Sequence, residues 1–185
     1  MSDCTDEELV GGYQKGNEGA FNELVLRYQQ KVYWVARRFS NDHDNADDIT
    51  QEVFCKVHQG LNEFRGESSL FTWLYRVTVN VSLNYLRRQR VREFFGLDDL
   101  LELAGDEADS PDRVFERQEQ KSLIEEAIAT LPTKQRAVFV LRYYEEIPYE
   151  EIAKILGTTV GGLKANYFHA IRKVGDYINR AHRTR

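Results

Sequence analysis

Residues 149–178 read YEEIAKILGTTVGGLKANYFHAIRKVGDYI, and the spacing of their apolar side chains predicts two helices joined by a tight turn. Tyr149 to Leu156 forms the first, with Ile152 and Leu156 facing inward one turn apart. Pro148 precedes it, and Gly157 ends it because glycine accepts the left-handed backbone that stops a helix. After Thr158 and Thr159, the residues Leu163, Tyr167, Ile171, Val174 and Ile178 recur every three or four positions and define a buried stripe. Lys164, Ala165, Phe168, His169 and Arg172 lie on the opposite side, with Asn166 beside them and Lys173 farther along. A supporting helix, a glycine-containing turn and a helix with a polar, basic outer face make a helix-turn-helix, whose second helix presents side chains to base edges in a major groove. A plain helical hairpin has the same spacing. Charge separates the two readings, because residues 151–185 carry a net +5 and a basic surface can follow phosphates. Gly161 and Gly162 each cost a helix interior roughly 1 kcal/mol against alanine. That cost becomes intelligible if the helix start must approach a phosphate closely.

The helical period continues toward the N-terminus. Ser110 and Pro111 supply a cap and a first-turn proline for a helix running to about Thr130, with Phe115, Leu123, Ile124 and Ile128 apolar. Pro132 restarts the chain into a helix carrying Val138, Phe139 and Leu141. At the other end, Thr5 and Glu8 form a capping box for a short helix reaching about Lys15. Phe21, Leu24, Val25, Tyr28, Val32, Val35, Ala36 and Phe39 then share one face of a second helix. Asp44 can cap a third that turns Ile49, Val53 and Val57 inward, and the stretch from Gly60 to Ser69 breaks the pattern with two glycines. From about Ser69 to Phe94 a long helix is expected, aromatic early (Phe71, Trp73, Tyr75) and rich in arginine late (Arg87, Arg88, Arg90, Arg92). The fold class is therefore all-α. Two small helical domains, 1–95 and 112–185, are joined by a flexible acidic linker at 96–111 that lacks a sustained apolar period.

Composition fits this organisation. A chain of 185 residues is one domain or two small ones, and 42% hydrophobic with 30% charged residues suffices for a core. The longest apolar runs, Val32 to Ala36 and Ala137 to Leu141, are far shorter than the ~20 residues that cross a bilayer. The acidic N-terminus has no signal-peptide pattern, so a cytoplasmic protein without membrane insertion is expected. Two cysteines cannot form a disulfide framework. Cys55 and His58 have metal-ligand spacing, but a single such pair is weak, and neither metal nor cofactor is expected. The carboxylates and four histidines form no catalytic constellation, which speaks against an enzyme. The net charge of −5 hides a bipolar distribution: −5 for 1–60, +3 for 61–95, −8 for 96–128, 0 for 129–150 and +5 for 151–185. Basic stretches suit nucleic acid, and the acidic N-terminal block suits a positively charged protein.

Several strings in this order resemble one family, the extracytoplasmic-function sigma factors of bacterial RNA polymerase, in particular their envelope-stress type. They are Ala20-Phe21-Asn22-Glu23-Leu24-Val25 with Tyr28, Asp48-Ile49-Thr50-Gln51-Glu52-Val53-Phe54, and Phe64-Arg65-Gly66 followed by Thr72-Trp73-Leu74-Tyr75-Arg76-Val77. Val79-Asn80 and Asn84-Tyr85-Leu86-Arg87-Arg88 continue the block. Leu131-Pro132, Arg136, Tyr149-Glu150-Glu151-Ile152-Ala153 and Val160-Gly161-Gly162-Leu163-Lys164 carry it into the second half. The resemblance covers nearly the whole chain.

It implies two domains, regions 2 and 4, that bind core RNA polymerase and recognise the minus-ten and minus-thirty-five promoter elements, with no catalytic step. Asp48, Gln51, Glu52 and Phe54 match positions that dock on the clamp helices of the largest polymerase subunit. Phe64, Arg65, Trp73, Tyr75, Arg76, Asn80, Arg87 and Arg88 match the minus-ten part, where a promoter base is captured unpaired. Aromatic stacking, worth ~1 to 3 kcal/mol per base, and an asparagine amide suit that task, although aromatics such as Phe64, Trp73 and Tyr75 commonly serve as core. Lys164, Ala165, Asn166, Phe168, His169, Arg172 and Lys173 match the minus-thirty-five surface. Ala165-Asn166 stand where the family often has serine and arginine, and His169 replaces a further frequent arginine, so base preference is not carried over. With no sensory extension expected after Arg185, the family implies regulation by a separate anti-sigma factor, often membrane-bound. A helix-turn-helix regulator acting without polymerase would leave the first domain unexplained. A helical adaptor would leave both basic segments unexplained.

Overall fold

The structure is a computed structural model that describes residues 4–94 and 123–183. Within them the chain forms α1 (Asp6–Gln14), α2 (Glu18–Ser40), α3 (His43–Leu61) and α4 (Leu70–Phe94). The second half contains α5 (123–129), α6 (Thr133–Phe139), α7 (Tyr149–Leu156) and α8 (Val160–Arg183). No strand occurs among the described residues. The acidic linker and the helix start at Ser110 and Pro111 lie outside them.

Local chemistry sets the helix ends. Both halves of the Thr5–Glu8 capping box form, the Glu8 amide donating to Thr5 Oγ1 at 3.2 Å and the Thr5 amide to Glu8 Oε2 at 2.8 Å. Asn41 ends α2 in the left-handed region (φ 62°), a conformation asparagine tolerates better than most residues. Asp42 then turns extended and caps α3, its Oδ1 accepting the Asn45 amide at 2.8 Å. This corrects the expectation that Asp44 caps this helix. The reversal is complete at Asn41, so α3 starts two residues earlier and Asp44 falls inside its first turn. Ser69 Oγ accepts the Thr72 amide at 3.2 Å and so caps α4.

The α2 stripe forms largely as its spacing predicts, but it serves two apolar clusters. Leu24, Tyr28, Val32 and Ala36 join residues of α1, α3 and α4 in the first, including Ile49, Val53, Val57, Leu61 and Leu74. Val35 and Phe39 turn to the second, with Tyr75, Val79 and Leu86 of α4 and with Val138, Leu141, Ile147, Ile152, Ile155 and Leu163 from the second half. A third cluster joins α5, α6 and α8 through Ile128, Leu131, Phe139, Ala170 and Val174. The two halves thus share apolar surface.

Two inward assignments shift. On α7 the fully buried pair is Ile152 and Ile155, and Leu156 is half-buried. On α8, Ala170 takes the inner position expected of Ile171, which is 47% exposed. Seven residues make nearly two turns, so Ala170 falls beneath Leu163 while Ile171 overshoots toward the outer face. Between α6 and α7, Val140–Tyr144 forms a π-helical turn, closed by the Glu145 amide donating to the Val140 carbonyl at 3.3 Å. The apolar spacing of residues 138–141 carries no sign of this widened turn. It ends with Tyr144 and Glu145 against α2: the Arg38 guanidinium lies 4.1 Å from the Tyr144 ring centroid and 3.4 Å from Glu145 Oε1.

The capping geometry makes a direct comparison possible. Asp42→Ala should destabilise the chain by about 1 kcal/mol, whereas Asp44→Ala should cost only a few tenths through the helix dipole. Urea unfolding of both variants measures the difference.

Candidate nucleic-acid interface

The expected functional residues fall on three surfaces. The first is the outer side of α3. With Ile49, Val53 and Val57 buried, Asp48 and Gln51 are left exposed and Glu52 half-exposed on the other side. Glu52 lies 3.6 Å from Lys56 Nζ and 3.7 Å from Arg88 Nη1, loose surface pairs of little energetic weight. Phe54 departs from this group, being half-buried against the first apolar cluster.

The second surface joins the 62–69 loop to α4. Trp73, Arg76, Asn80 and Arg87 recur at helical spacing and share one side of α4, and Asn84, part of the resembling string but assigned no role from it, stands among them with its Oδ1 accepting from Arg87 Nη1 at 3.4 Å. Asn80 and Arg65 are exposed, and the half-buried rings of Phe64 and Trp73 meet at 5.2 Å. Gly60 makes room for the indole, since a Cβ there would come within 3.1 Å of Trp73 Cζ2. Gly66 takes the left-handed backbone (φ 71°) that reverses the loop.

Tyr75 turns away from this surface. It is 2% exposed, and its hydroxyl donates to Glu145 Oε2 at 3.0 Å. Burial, and next the Glu145 carboxylate, push its ionisation far above the ordinary tyrosine range. Neighbouring groups are also engaged by the second half. Arg76 Nη2 donates to the Lys154 carbonyl at 2.7 Å, and the Thr72 hydroxyl donates to Glu151 Oε1. That hydroxyl first, and Lys154 in support, hold the Glu151 carboxyl below its usual range against the opposing effect of burial. The supporting helix of the helix-turn-helix therefore rests on α4.

The third surface is the outside of α8. Gly157 adopts the left-handed C-cap (φ 61°), and the Thr158 amide returns to the Ala153 carbonyl at 3.1 Å, which makes the turn tight. Thr159 caps α8, its Oγ1 accepting from the Gly162 amide at 3.2 Å. A Cβ on Gly162 would sit 3.2 Å from that hydroxyl oxygen, whereas one on Gly161 would meet nothing within 4 Å. Lys164, Ala165, Phe168, His169, Arg172 and Lys173 are all exposed as expected, and Ile171 joins them beside Phe168. Lys164 Nζ stands 5.7 Å from the Tyr149 ring centroid. Asn166 is half-buried, and its Nδ2 donates to the Gly162 carbonyl at 2.8 Å, so its amide is partly engaged by its own helix.

Among the described residues no His, Cys, Asp and Glu group could hold a metal ion, and no helix is long and apolar enough to cross a membrane. The His58 ring packs edge-on against Phe21 and Tyr13, at 5.0 and 5.6 Å.

Two family models match the chain, Sigma-70 region 2 over residues 24–92 and Sigma-70 region 4 over 121–174. The RNA polymerase sigma-H factor of Pseudomonas aeruginosa is 35% identical over 176 residues, 89% of each chain. The ECF RNA polymerase sigma-E factor of Escherichia coli K12 is 36% identical over 181 residues, 94% of each. The fold also resembles a solved sigma factor RpoE from Bartonella quintana, in complex with the anti-sigma factor NepR, at a TM-score of 0.63 and 22% identity over 86% of this chain and 96% of that one. An acidic α3 face, an aromatic and basic α4 face and a basic helix-turn-helix thus occur in one chain, in the order of regions 2 and 4, and the chain belongs to the extracytoplasmic-function sigma factors of the sigma-70 family.

Proposed function

We propose that this sigma factor divides its work among the three surfaces. The α3 face of Asp48, Gln51 and Glu52 holds core RNA polymerase. The Phe64 loop with Trp73, Arg76 and Asn80 takes an unpaired base of the minus-ten element, and Arg65, Arg87 and Arg88 contact its backbone. The outer face of α8 reads the minus-thirty-five element. The observation that carries this reading is the separation of side chains on each helix: apolar residues are spent on the clusters, and the remaining side is acidic on α3 and basic on α4 and α8. An acidic face suits a cationic protein surface, and basic faces suit phosphates.

The chain performs no catalytic step of its own in this reading and works in the cytoplasm, where its polymerase and promoters are. A stress response is the setting that its resemblance to the envelope-stress type implies. A separate anti-sigma factor would hold it inactive, as fits the Bartonella protein solved with NepR. Run-off transcription by purified core polymerase on a library of genomic promoters tests the whole reading. Promoter-specific transcripts that depend on the chain are expected, and specific duplex binding by the chain alone, with no effect on core polymerase, would favour a regulator acting without polymerase.

On α3, Asp48→Lys should weaken co-purification with core polymerase by about 2 kcal/mol or more at low salt while helicity by circular dichroism is kept. Asp48 is the cleaner site, because Glu52 is shared with Lys56 and Arg88. Unchanged binding removes α3 from the polymerase interface.

On α8, reading and positioning should separate. Lys164→Ala and His169→Ala should shift the preferred minus-thirty-five sequence, with losses of roughly 1 to 3 kcal/mol at one or two positions. Arg172→Ala should weaken all sequences alike and lower the salt slope by about one unit. Selection by holoenzyme from a randomised duplex library distinguishes them.

Gly161 gives opposite signs in two assays. Its Cβ position is open, so Gly161→Ala should raise folding stability by up to about 1 kcal/mol. If the glycine is there for close approach to a phosphate, the same variant should weaken minus-thirty-five binding. Thermal unfolding and a holoenzyme footprint measure the two effects.

A further inference from the structure

A helix leaves its last carbonyls without partners inside the helix, and a left-handed residue just beyond the end is a common remedy. Helix α3 lacks it: Asn62, which follows the last turn, is right-handed (φ −65°, ψ −28°). Backbone amides of the next turn take part of the load, Glu63 donating to the Gly60 carbonyl at 3.1 Å and Phe64 to the Leu61 carbonyl at 3.3 Å, and side chains of α1 add to them. The Tyr13 hydroxyl donates to the His58 carbonyl at 3.2 Å, and Gln14 Nε2 donates to the Leu61 carbonyl at 3.0 Å and to the Phe64 carbonyl at 2.9 Å. Both protons of one amide group thus tie the last residue of α3 to the backbone of Phe64, two residues beyond Asn62. On the other side of the loop the Phe64 ring meets Trp73, which itself seats against Gly60. Phe64 is held through its amide by the Leu61 carbonyl, through its carbonyl by Gln14 and through its ring by Trp73, while Arg65, Gly66 and Glu67 just after it are exposed.

Gln14 lies outside the segment matched as Sigma-70 region 2, which begins at residue 24. We propose that Gln14 is a positioning residue for minus-ten recognition, holding the Phe64 loop in the geometry that receives the unpaired base. The inference rests on the proposed role of that loop. Its chemistry is a requirement for donors: two carbonyl oxygens face one side chain, so a group that donates twice is needed and a group that only accepts is repelled.

The test is promoter selection by holoenzyme on templates randomised across the minus-ten element, with Phe64→Ala as reference and circular dichroism on every variant. Phe64→Ala identifies the position that depends on the loop. Gln14→Glu keeps the length of the side chain but removes both donors, and Gln14→Ala removes them without adding charge. Both should lower discrimination at that same position about two- to tenfold, the range for losing a neutral hydrogen bond, and leave other positions unchanged. Gln14→Lys, whose ammonium can donate to both carbonyls, should preserve it. A loss spread evenly over all positions, an equal loss in the Lys and Glu variants, or unchanged discrimination in the Glu and Ala variants where Phe64→Ala relaxes it, overturns the role of Gln14 and leaves base reading by the loop standing. If Phe64→Ala relaxes no position, both fail.

Discussion

The burial of one long apolar stripe on α2 governs the arrangement of the rest. Eight residues of that helix are buried, too many for one neighbour to cover. Its N-terminal part is closed over by α1, α3 and α4, while Val35 and Phe39 near its C-terminus face the second cluster, which region 4 completes. Because adjacent core residues on one helix point in different directions, α1, α3 and α4 gather on one side and α6 to α8 on another. Each fully buried aliphatic or aromatic side chain contributes on the order of 1.5 to 3 kcal/mol, so satisfying the stripe outweighs any single polar contact in the molecule. The polar groups are arranged around it. Arg38, one turn from Val35, stacks on Tyr144, pairs with Glu145, and accepts from Arg136 at its carbonyl.

The same economy of faces builds the surfaces proposed for binding. A helix that gives one side to the core has the other free for charge, and α3, α4 and α8 differ mainly in which charge they put there. The turn of the helix-turn-helix is fixed by Gly157 and by the Thr159 cap, so the start of α8 has a defined direction relative to α7. Helix α7 is in turn set on α4 by the buried Ile152 and Ile155 and by the Glu151 carboxylate.

Much of this could be read from the sequence because the signals were local. The α2 and α3 stripes, the Thr5 capping box, the stop at Gly157 and the outer face of α8 all follow from spacing and from the backbone preference of single residues. Three kinds of feature did not. Ile171 and Ala170 exchanged places because a small alanine carries little hydropathic weight yet fits beneath Leu163. The π turn at 140–144 depends on what Tyr144 and Glu145 meet across the chain, and no local pattern reports that. Tyr75 and Phe64 belong to the same aromatic group in sequence, yet one is buried beside Glu145 and the other stays half-exposed beside Trp73. That difference is set by residues far away in the chain. Gln14 escaped notice for the same reason, since a lone glutamine carries no signal until α1 is seen against the end of α3.

The contacts between α7 and α4 bear on how tightly the α4 groups can hold anything else. The Arg76 guanidinium and the Thr72 and Tyr75 hydroxyls already have partners in region 4 of the same chain. A tethered partner acts at an effective concentration on the order of millimolar, so it competes on favourable terms with a molecule arriving from solution. The apparent affinity of an outside ligand at these atoms is its intrinsic affinity multiplied by the fraction of chains in which α7 has moved off α4. A substitution at Glu145 or Glu151, the carboxylates that hold the Tyr75 and Thr72 hydroxyls, would therefore change that affinity through the population of open chains.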